Sequence, residues 1–278
     1  MKLALSILTL CLTLANSWAQ TPTKQEENHF PQKENTHRIM SYNIHHGRGM
    51  DSIVDIERIG ELIIDLQPEV VGLQEVDSMV SRSGNIDIMQ LLSKQTGMHA
   101  TFGYSILHDG GKYGNGMLTR EKPLAVSKIA LPGAREARTA LIVEMEKYVV
   151  INTHLSLDEE ERVTSVEIIT DAAKKLDKPV FLLGDLNATP DSPPLEILKK
   201  EWQILSNPKH PTSPSINPRR TIDYVLGYVA KGQTYAKHNA QVIDEEVASD
   251  HRPLFVDVRL KTAASEVMRT IPYLQNPG

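Results

Sequence analysis

The sequence predicts an α/β protein of the α+β type, in which two mixed β-sheets are faced by helices. Apolar runs rich in β-branched residues alternate with segments of helical period, and the strand-like runs outnumber the helical ones. Several strand-like runs follow one another directly, which disfavours a continuous βαβ wrap and favours mixed sheets. Because no second linker interrupts residues 37–260, the pattern indicates one domain there.

The predicted elements begin directly after His37. A helix in VDIERIGELIIDL lies between the strands RIMSYNI and EVVGLQEV, and Pro68 separates it from the second of them. A second helix, NIDIMQLLSKQTG, ends at Gly97, since glycine readily adopts the left-handed backbone found at helix ends. The remaining predicted elements, in order, are the strands GNGMLTR, TALIVEME and YVVINTHL, the helix DEEERVTSVEIITDAAKKL, and the strands PVFLLGDL, RTIDYVLGY, AQVID and PLFVDVRL.

Residues 1–20 predict a secretory signal peptide. One lysine precedes an apolar run from Leu3 to about Leu14, and the small residues Ser17 and Ala19 occupy positions that a signal peptidase reads. An uncleaved membrane anchor is the alternative, but the run is shorter than the roughly 20 residues needed to cross a bilayer. We therefore expect an exported protein, periplasmic or secreted, with no stable membrane span in its mature form.

The flanking segments and the overall charge set further bounds. Residues 21–36 are polar with two prolines, which is typical of a flexible linker, and residues 261–278 form a C-terminal tail. The only cysteine, Cys11, lies in the removable signal segment, so disulfides and thiolate chemistry are excluded from the mature protein. The net charge of −5 supplies no overall positive field, which argues against a dedicated nucleic-acid binder unless basic residues cluster locally.

Polar residues interrupt the predicted strands near their ends, where sites on sheet proteins are commonly built. Asp223 lies inside an apolar strand, and burying a carboxylate there costs several kcal/mol unless it is paired or bound to a metal. Taken singly, the other residues have simpler interpretations as turn residues, strand-end acids or helix caps. The set comprises Asn43, Glu75, His154, Asp185, Asn187, Asp223, Asp250 and His251.

Seven short motifs occur in one order along the chain: MSYNI, GLQEVD, GNGMLTR, NTHL, GDLNATP, TIDYVL and SDHRPL. Each is weak alone, but in this order the sequence resembles the endonuclease/exonuclease/phosphatase superfamily from about Arg38 to Leu260. The resemblance implies a four-layer sandwich, in which two mixed β-sheets pack face to face and helices cover the outer faces. The motifs are more similar to those of sphingomyelinase and phosphatase members than to those of abasic-site endonucleases.

The resemblance implies a metal site at Glu75. This residue would bind Mg²⁺, with Mn²⁺ as the alternative and with Asn43 and Asp250 assisting, because such hard divalent ions prefer oxygen ligands. The ion would polarise a phosphoryl oxygen of the substrate. The resemblance does not distinguish one bound ion from two.

The resemblance also assigns roles in the hydrolytic step. His251 would act as general base on the attacking water, and Asp223 would fix its tautomer. Asp185 would lie beside that water or a second ion, while Asn187 and His154 would donate to the phosphate. No covalent enzyme intermediate is implied.

Four further residues are weaker candidates. Arg82 and Asn115 are expected to contact the substrate phosphate, because guanidinium and amide groups donate to its oxygens. His45 and His46 are adjacent, and adjacent side chains on an extended segment point in opposite directions. We therefore expect them to be loop residues near the pocket that do not share one metal ion.

These observations together predict an exported, Mg²⁺-dependent phosphoester hydrolase, either a phosphodiesterase or a phosphatase. Basic residues near the predicted loops are few and scattered, which favours a small or lipid-linked phosphoester over a nucleic acid. The alternatives are a secreted endonuclease or exonuclease acting on DNA or RNA, and a non-catalytic protein that holds a ligand in the same cleft. The scattered basic residues are Arg48, Arg82, Lys112, Arg135 and Arg138.

Overall fold

A computed structural model describes residues 30–261 of the chain. The predicted signal peptide, residues 21–29 of the predicted linker and residues 262–278 of the predicted tail lie outside the described residues. Within residues 30–261, no helix is long and apolar enough to span a membrane. The strands and α-helices of this range, in chain order, are β1 (His37–Asn43), α1 (Ile56–Leu66), β2 (Val70–Ser78), α2 (Ile88–Thr96), β3 (His99–His108), β4 (Gly111–Thr119), β5 (Ala125–Leu131), β6 (Arg138–Glu144), β7 (Val149–His154), α3 (Glu159–Lys174), β8 (Val180–Asp185), α4 (Pro193–Leu198), β9 (Trp202–Ile204), β10 (Asp223–Tyr228), β11 (Thr234–Val242) and β12 (Leu254–Lys261).

The strands form two six-stranded sheets. Sheet I has the order β11–β12–β1–β2–β4–β3, and sheet II has the order β5–β6–β7–β8–β10–β9. In each sheet one central pair is parallel, β1 with β2 and β7 with β8, while the other neighbouring strands are antiparallel. Both sheets are therefore mixed, which confirms the prediction from the sequence.

Three apolar clusters lie between the layers of the molecule. Alternate residues of a strand point to opposite faces, so Ile39 of β1 joins the core between the two sheets while Met40 points toward α1 and α2. In β8, Phe181 likewise faces sheet I while Leu182 packs on the side of α3 and α4. The resulting order of helices, sheet, sheet and helices confirms the predicted four-layer sandwich.

Residues 30–36, at the end of the predicted linker, lie against sheet I. The rings of Phe30 and Phe255 meet edge to face with centroids 5.8 Å apart, and the carbonyl of Phe30 accepts a hydrogen bond from Arg38. Arg38 is itself fully buried and forms a bidentate ion pair with Asp257, at 2.7 and 2.8 Å. These contacts extend the folded unit to Phe30, seven residues before the predicted start at His37.

The sequence patterns do not predict β3, β5, β9 or α4. All three strands lie at the edge of a sheet, where one side has no neighbouring strand and less of the strand is covered. Most residues of β5 are exposed, for example, so it lacks an apolar face that a pattern search could detect. The helix α4 has only six residues, two of them prolines, which is too short for a helical period.

Candidate active site

The polar residues of the predicted site gather at one rim of the sandwich because of the strand directions. The parallel pairs β1–β2 and β7–β8 place their C-terminal ends side by side, and β10 runs antiparallel to β8 so that its first residue lies opposite the last residue of β8. The residues brought together are Asn43 (β1), Glu75 (β2), His154 (β7), Asp185 (β8), Asp223 (β10) and His251, which lies just before β12.

His251 and Asp223 form a buried pair. Nδ1 of His251 lies 2.9 Å from Oδ2 of Asp223, and the two side chains are almost completely buried. The hydroxyl of Thr212 donates to the same carboxylate oxygen. The carboxylate inside the apolar strand β10 is therefore paired, and its hydrogen bond orients the imidazole with Nε2 toward Asp185.

Asp185 lies between the two histidines of the site. Its Oδ2 atom is 3.5 Å from Nε2 of His154 and 3.7 Å from Nε2 of His251, and it also accepts a hydrogen bond from the Asn43 amide at 3.1 Å. Its other oxygen accepts from the backbone N–H of Asn187 at 2.9 Å. One buried carboxylate thus links the ends of strands from both sheets.

The two histidines beside Asp185 titrate in opposite directions. Burial lowers the pKa of His154 to about 4, and the attraction of Asp185 only partly opposes this effect. Burial also disfavours the charged form of His251, but the nearby carboxylates of Asp223 and Asp185 outweigh it and raise the pKa of His251 to about 10. Near neutral pH the site therefore holds a neutral imidazole and an imidazolium side by side.

Glu75 and Asn43 form the neighbouring part of the site. The Asn43 amide donates to Oε1 of Glu75 at 3.1 Å as well as to Asp185, while its oxygen accepts from the backbone N–H of His45. Burial raises the pKa of Glu75, the hydrogen bond from Asn43 opposes the shift, and Asp250 adds to it. In this arrangement Asn43 orients two carboxylates, and its own oxygen is already engaged.

Asp250 lies at the more open side of the same rim. Its side chain is 41 % exposed, and its Oδ1 atom is 3.9 Å from Nδ1 of His45. The hydroxyl of Ser249 lies 3.4 Å from the same oxygen. The structure thus places Asp250 within electrostatic reach of Glu75, whereas Asn43 contacts Glu75 directly.

The three residues predicted to bind the phosphate are placed differently. Asn187 lines the cleft, although its side-chain amide donates to the carbonyl of Leu155 at 3.0 Å. Arg82 also lines the cleft and forms a bidentate ion pair with Asp77, at 2.8 and 2.9 Å. Asn115 is buried between the sheets, where its amide donates to the carbonyl of Thr139, and it is not among the side chains that line the cleft.

The cleft has a volume of about 350 Å³ and includes residues that the sequence analysis did not assign to the site. Arg138, at the start of β6, is mostly buried and pairs with Glu136 at 2.7 Å, but its Nε atom has no hydrogen-bond partner within residues 30–261. In the sequence, the only feature that marks Arg138 is its position directly before an apolar strand. Thr212, which contacts Asp223, lies in a proline-rich loop and has no such feature. The additional lining residues are Ile106, His108, Glu136, Arg138 and Leu157.

The argument from extended backbone that His45 and His46 cannot share one metal ion is wrong, because the segment is not extended. It forms a 3₁₀ turn in which both residues have left-handed backbone angles, with φ of 45° and 47°. The two rings lie edge to face with centroids 4.5 Å apart. Ligand atoms of His45, His46 and Glu75 all lie within 4.8 Å of one another.

Residues 40–251 match the family described as the Endonuclease/Exonuclease/phosphatase family. The chain belongs to this family. Its members are hydrolases, among them nucleases and phosphatases, and they typically use a divalent metal. A comparison with curated protein sequences found no match.

Solved structures of endonuclease/exonuclease/phosphatase proteins share this fold. One from Beutenbergia cavernae is 23 % identical with a TM-score of 0.67 and covers 82 % of this chain and 72 % of its own. The mannosyl-6-phosphatase of Bacteroides thetaiotaomicron is 14 % identical with a TM-score of 0.64, covering 80 % of this chain and 99 % of its own. The human Nocturnin catalytic domain, solved with a bound sulfate anion, is 19 % identical with a TM-score of 0.63, covering 82 % and 95 %. At these identities the likeness shows the fold alone.

Proposed function

We propose that this protein is an exported, divalent-metal-dependent phosphoester hydrolase that uses water as the nucleophile and forms no covalent intermediate. The observation that carries the proposal is the environment of Asp185, which lies between a neutral imidazole and an imidazolium that is itself paired with Asp223. Pairs of titratable groups whose pKa values are driven apart by their surroundings are typical of acid–base catalysis. A structural ion pair would not require the second histidine.

The Glu75 part of the cleft fits a divalent cation. Glu75 and Asp185 share the single amide of Asn43, and Asp250 adds a third carboxylate nearby, so negative charge is concentrated where little water reaches it. A cation bound by Glu75 would compensate that charge and polarise a phosphoryl oxygen. Asn43 would hold the carboxylate in position, and Asp250 would complete the site from its open side.

The histidines would then act on water and phosphate. Compensation of the charge on Asp185 removes one of the interactions that raise the pKa of His251, so the ring can accept a proton from the attacking water. Asp223 keeps the proton of the neutral ring on Nδ1 and leaves Nε2 to act as the base. His154 remains neutral and would donate to a phosphate oxygen.

The substrate that the cleft fits best is a small or lipid-linked phosphoester. Its two guanidinium groups are already paired with carboxylates, Arg82 with Asp77 and Arg138 with Glu136, so the cleft offers little free positive charge to a polyanion. The mannosyl-6-phosphatase named above shows that this fold serves a sugar phosphate in another protein. Hydrolysis of DNA or RNA, and ligand binding without catalysis, are the alternatives that the experiment must separate.

Hydrolysis of bis-p-nitrophenyl phosphate by the purified protein tests the proposal. We expect turnover with Mg²⁺ or Mn²⁺, loss of turnover with a chelator, and turnover lowered by roughly 10²- to 10⁴-fold in a matched His251→Ala preparation, which controls for contaminating phosphatases. A panel of sugar phosphates, sphingomyelin, phosphoinositides, nucleotides and plasmid DNA then identifies the substrate class. Inactivity on every substrate with every ion would reject catalysis and favour a binding protein.

The proposed export has its own test. Residues 1–20 carry the features of a signal peptide, so we expect the protein recovered from the periplasm or the medium to have a new N-terminus near Gln20. N-terminal sequencing checks this, and recovery of the intact N-terminus from a membrane fraction would indicate an uncleaved anchor.

A further inference from the structure

The loop after β1 brings two imidazole rings to the carboxylate of Glu75. Ligand atoms of His45, His46 and Glu75 lie within 4.8 Å of one another, so small side-chain movements would bring them to the spacing of roughly 4 Å or less that one ion spans. We propose that these three residues form a site for a divalent transition metal that prefers imidazole nitrogen, with Zn²⁺ and Co²⁺ as its representatives. The inference rests on the proposed function, because Glu75 is shared with the cation of the proposed reaction, and it predicts that such an ion supports turnover better than Mg²⁺ does.

The backbone around the cluster is held in an uncommon conformation. His45 and His46 have φ of 45° and 47°, and Glu75 has φ of 57° at a point where the pairing of β2 with β4 shifts register. Left-handed backbone is uncommon for residues other than glycine and is energetically disfavoured. All three residues of the cluster therefore adopt a disfavoured conformation, and in doing so they direct their side chains to one place.

The ring of His46 lacks a partner that a metal would supply. His46 is 7 % exposed, and its Nδ1 atom is buried without a hydrogen-bond partner among the residues that the structure describes. A buried polar atom left without a partner is energetically unfavourable. A metal ion bound through this nitrogen would give it the partner that it lacks.

The ring of His45 is oriented as a metal ligand would be. Its Nδ1 atom lies 3.1 Å from the carbonyl of Arg48. A carbonyl only accepts, so in the neutral ring Nδ1 carries the proton and Nε2 is left with the lone pair. Ligand histidines commonly use one nitrogen in this way to fix the tautomer, while the other nitrogen binds the ion.

The donor set favours a transition metal over Mg²⁺. Mg²⁺ prefers oxygen ligands in an octahedral arrangement, whereas two imidazoles with one carboxylate suit ions such as Zn²⁺ and Co²⁺. Asp250 lies close enough to His45, at 3.9 Å, to contribute further negative charge. The second acidic and histidine group, Asp185 with Asp223 and His251, is less suitable, because His251 and Asp223 already bind each other at 2.9 Å.

Titration of the metal-free protein with Co²⁺, followed by the visible absorption of the ion, tests the site. We expect one Co²⁺ to bind in the presence of millimolar Mg²⁺ and Zn²⁺ to displace it. His45→Gln and His46→Gln should each weaken Co²⁺ binding by at least about 10-fold. Changing residues that only support a metal ligand already weakens metal binding by about 10- to 100-fold. His99→Gln, on the exposed part of β3, is the matched control and should bind Co²⁺ as the unmodified protein does.

Two results would overturn the inference: unchanged Co²⁺ affinity in both histidine variants, or displacement of Co²⁺ by an equal concentration of Mg²⁺. His45 is partly exposed, so its variant keeps the test decisive if the buried His46→Gln does not fold. Parallel assays with bis-p-nitrophenyl phosphate separate the two proposals. Turnover that needs Glu75 but not the histidines rejects this site and keeps the hydrolase, whereas histidine-dependent Co²⁺ binding without turnover on any substrate keeps the site and rejects the hydrolase.

Discussion

Two histidine-containing clusters lie in the same cleft, and they accommodate buried polar groups in different ways. In the first, His251 and Asp223 bind each other at 2.9 Å, and Thr212 donates to the same carboxylate. In the second, the rings of His45 and His46 lie beside Glu75, and no hydrogen bond among the described residues joins the three side chains. The first cluster is joined by hydrogen bonds in the protein alone, whereas the three side chains of the second would be joined only through a bound ion.

This difference separates two tasks in the proposed reaction. Groups that already hold each other keep their geometry without a ligand, and such preorganisation suits proton transfer. Groups that are close but unpaired suit the capture of a cation, because its binding adds interactions that the free protein lacks. Changes in the first cluster should therefore alter the pH dependence of turnover, and changes in the second should alter metal affinity.

A large loss of turnover is expected when Glu75 is changed. Glu75→Gln should lower kcat roughly 10³-fold, because a neutral amide binds a divalent cation poorly and the ion supplies several kcal/mol of transition-state stabilisation. Steady-state hydrolysis of bis-p-nitrophenyl phosphate at several metal concentrations measures the effect. Glu61→Gln, an exposed acid on α1, is the control. Unmodified turnover by Glu75→Gln at limiting metal would remove Glu75 from the metal site.

The buried neutral ring of His154 should make the fold sensitive to acid. Its pKa is lowered to about 4 from an ordinary value of 6.5, so the unfolded chain takes up a proton in this range while the folded ring does not. The stability that the neutral ring confers is present above pH 6.5 and is lost as the pH falls toward 4. In urea unfolding, His154→Gln should lose less stability than the unmodified protein between pH 7 and pH 4.5, by about 1–3 kcal/mol.

The contribution of His251 to stability has the opposite sign, which allows a check within the same data. Its pKa is raised to about 10, so its stabilisation is complete below pH 6.5 and is lost as the pH rises toward 10. The smaller loss of stability between pH 7 and pH 4.5 that is expected for His154→Gln should therefore not appear in His251→Gln. Parallel pH–stability curves for His154→Gln and the unmodified protein would contradict a neutral, buried His154.

A smaller effect is expected when Asp223 is made neutral. Asp223→Asn removes the carboxylate that most strongly raises the pKa of His251, so that pKa should fall by about one unit or more. The acidic limb of the pH–rate profile should move to lower pH, and NMR titration of the His251 ring should show the same shift. If the acidic limb of the pH–rate profile stays in place at saturating metal, Asp223 does not act through His251.

The smallest effect is expected at Thr212, which only supports Asp223. Thr212→Val keeps the shape of the side chain but removes the hydroxyl that donates to Asp223, so kcat should fall by a factor of about five, equivalent to about 1 kcal/mol. Thr212→Ser retains the hydroxyl and should retain the activity. Equal losses in the two variants would assign the effect to packing of the threonine methyl group.

The sequence predicts the central strands of the sandwich well because both of their faces are covered. β1, β2, β7 and β8 are almost entirely buried, and each contains a short apolar stretch that ends in polar residues. Edge strands such as β5 bury little, and their residues carry no equivalent pattern. Whether the sequence predicts a strand thus depends on where that strand lies in its sheet. A local window of sequence does not contain this information.

The same distinction applies to the site. Asp185 and His154 could be found because each ends an apolar strand, so a polar residue stands out against its neighbours. Thr212 meets Asp223 only through a loop that folds back from eleven residues away, and its local sequence is that of an ordinary turn. The relation of His45 to His46 was predicted wrongly because the argument assumed extended backbone, and nothing in two adjacent histidines specifies positive φ at both.

A double-mutant cycle on Asp223 and His251 tests the central claim most directly. Asp223→Ala and His251→Ala should each lower kcat for bis-p-nitrophenyl phosphate by roughly 10²- to 10⁴-fold, the range typical of general base catalysis. If the two residues activate water as one unit, the double variant should be little worse than the more damaged single variant, because residues that act together are strongly non-additive. Losses that add as independent free energies, with metal held saturating, would contradict the paired arrangement as the source of activity.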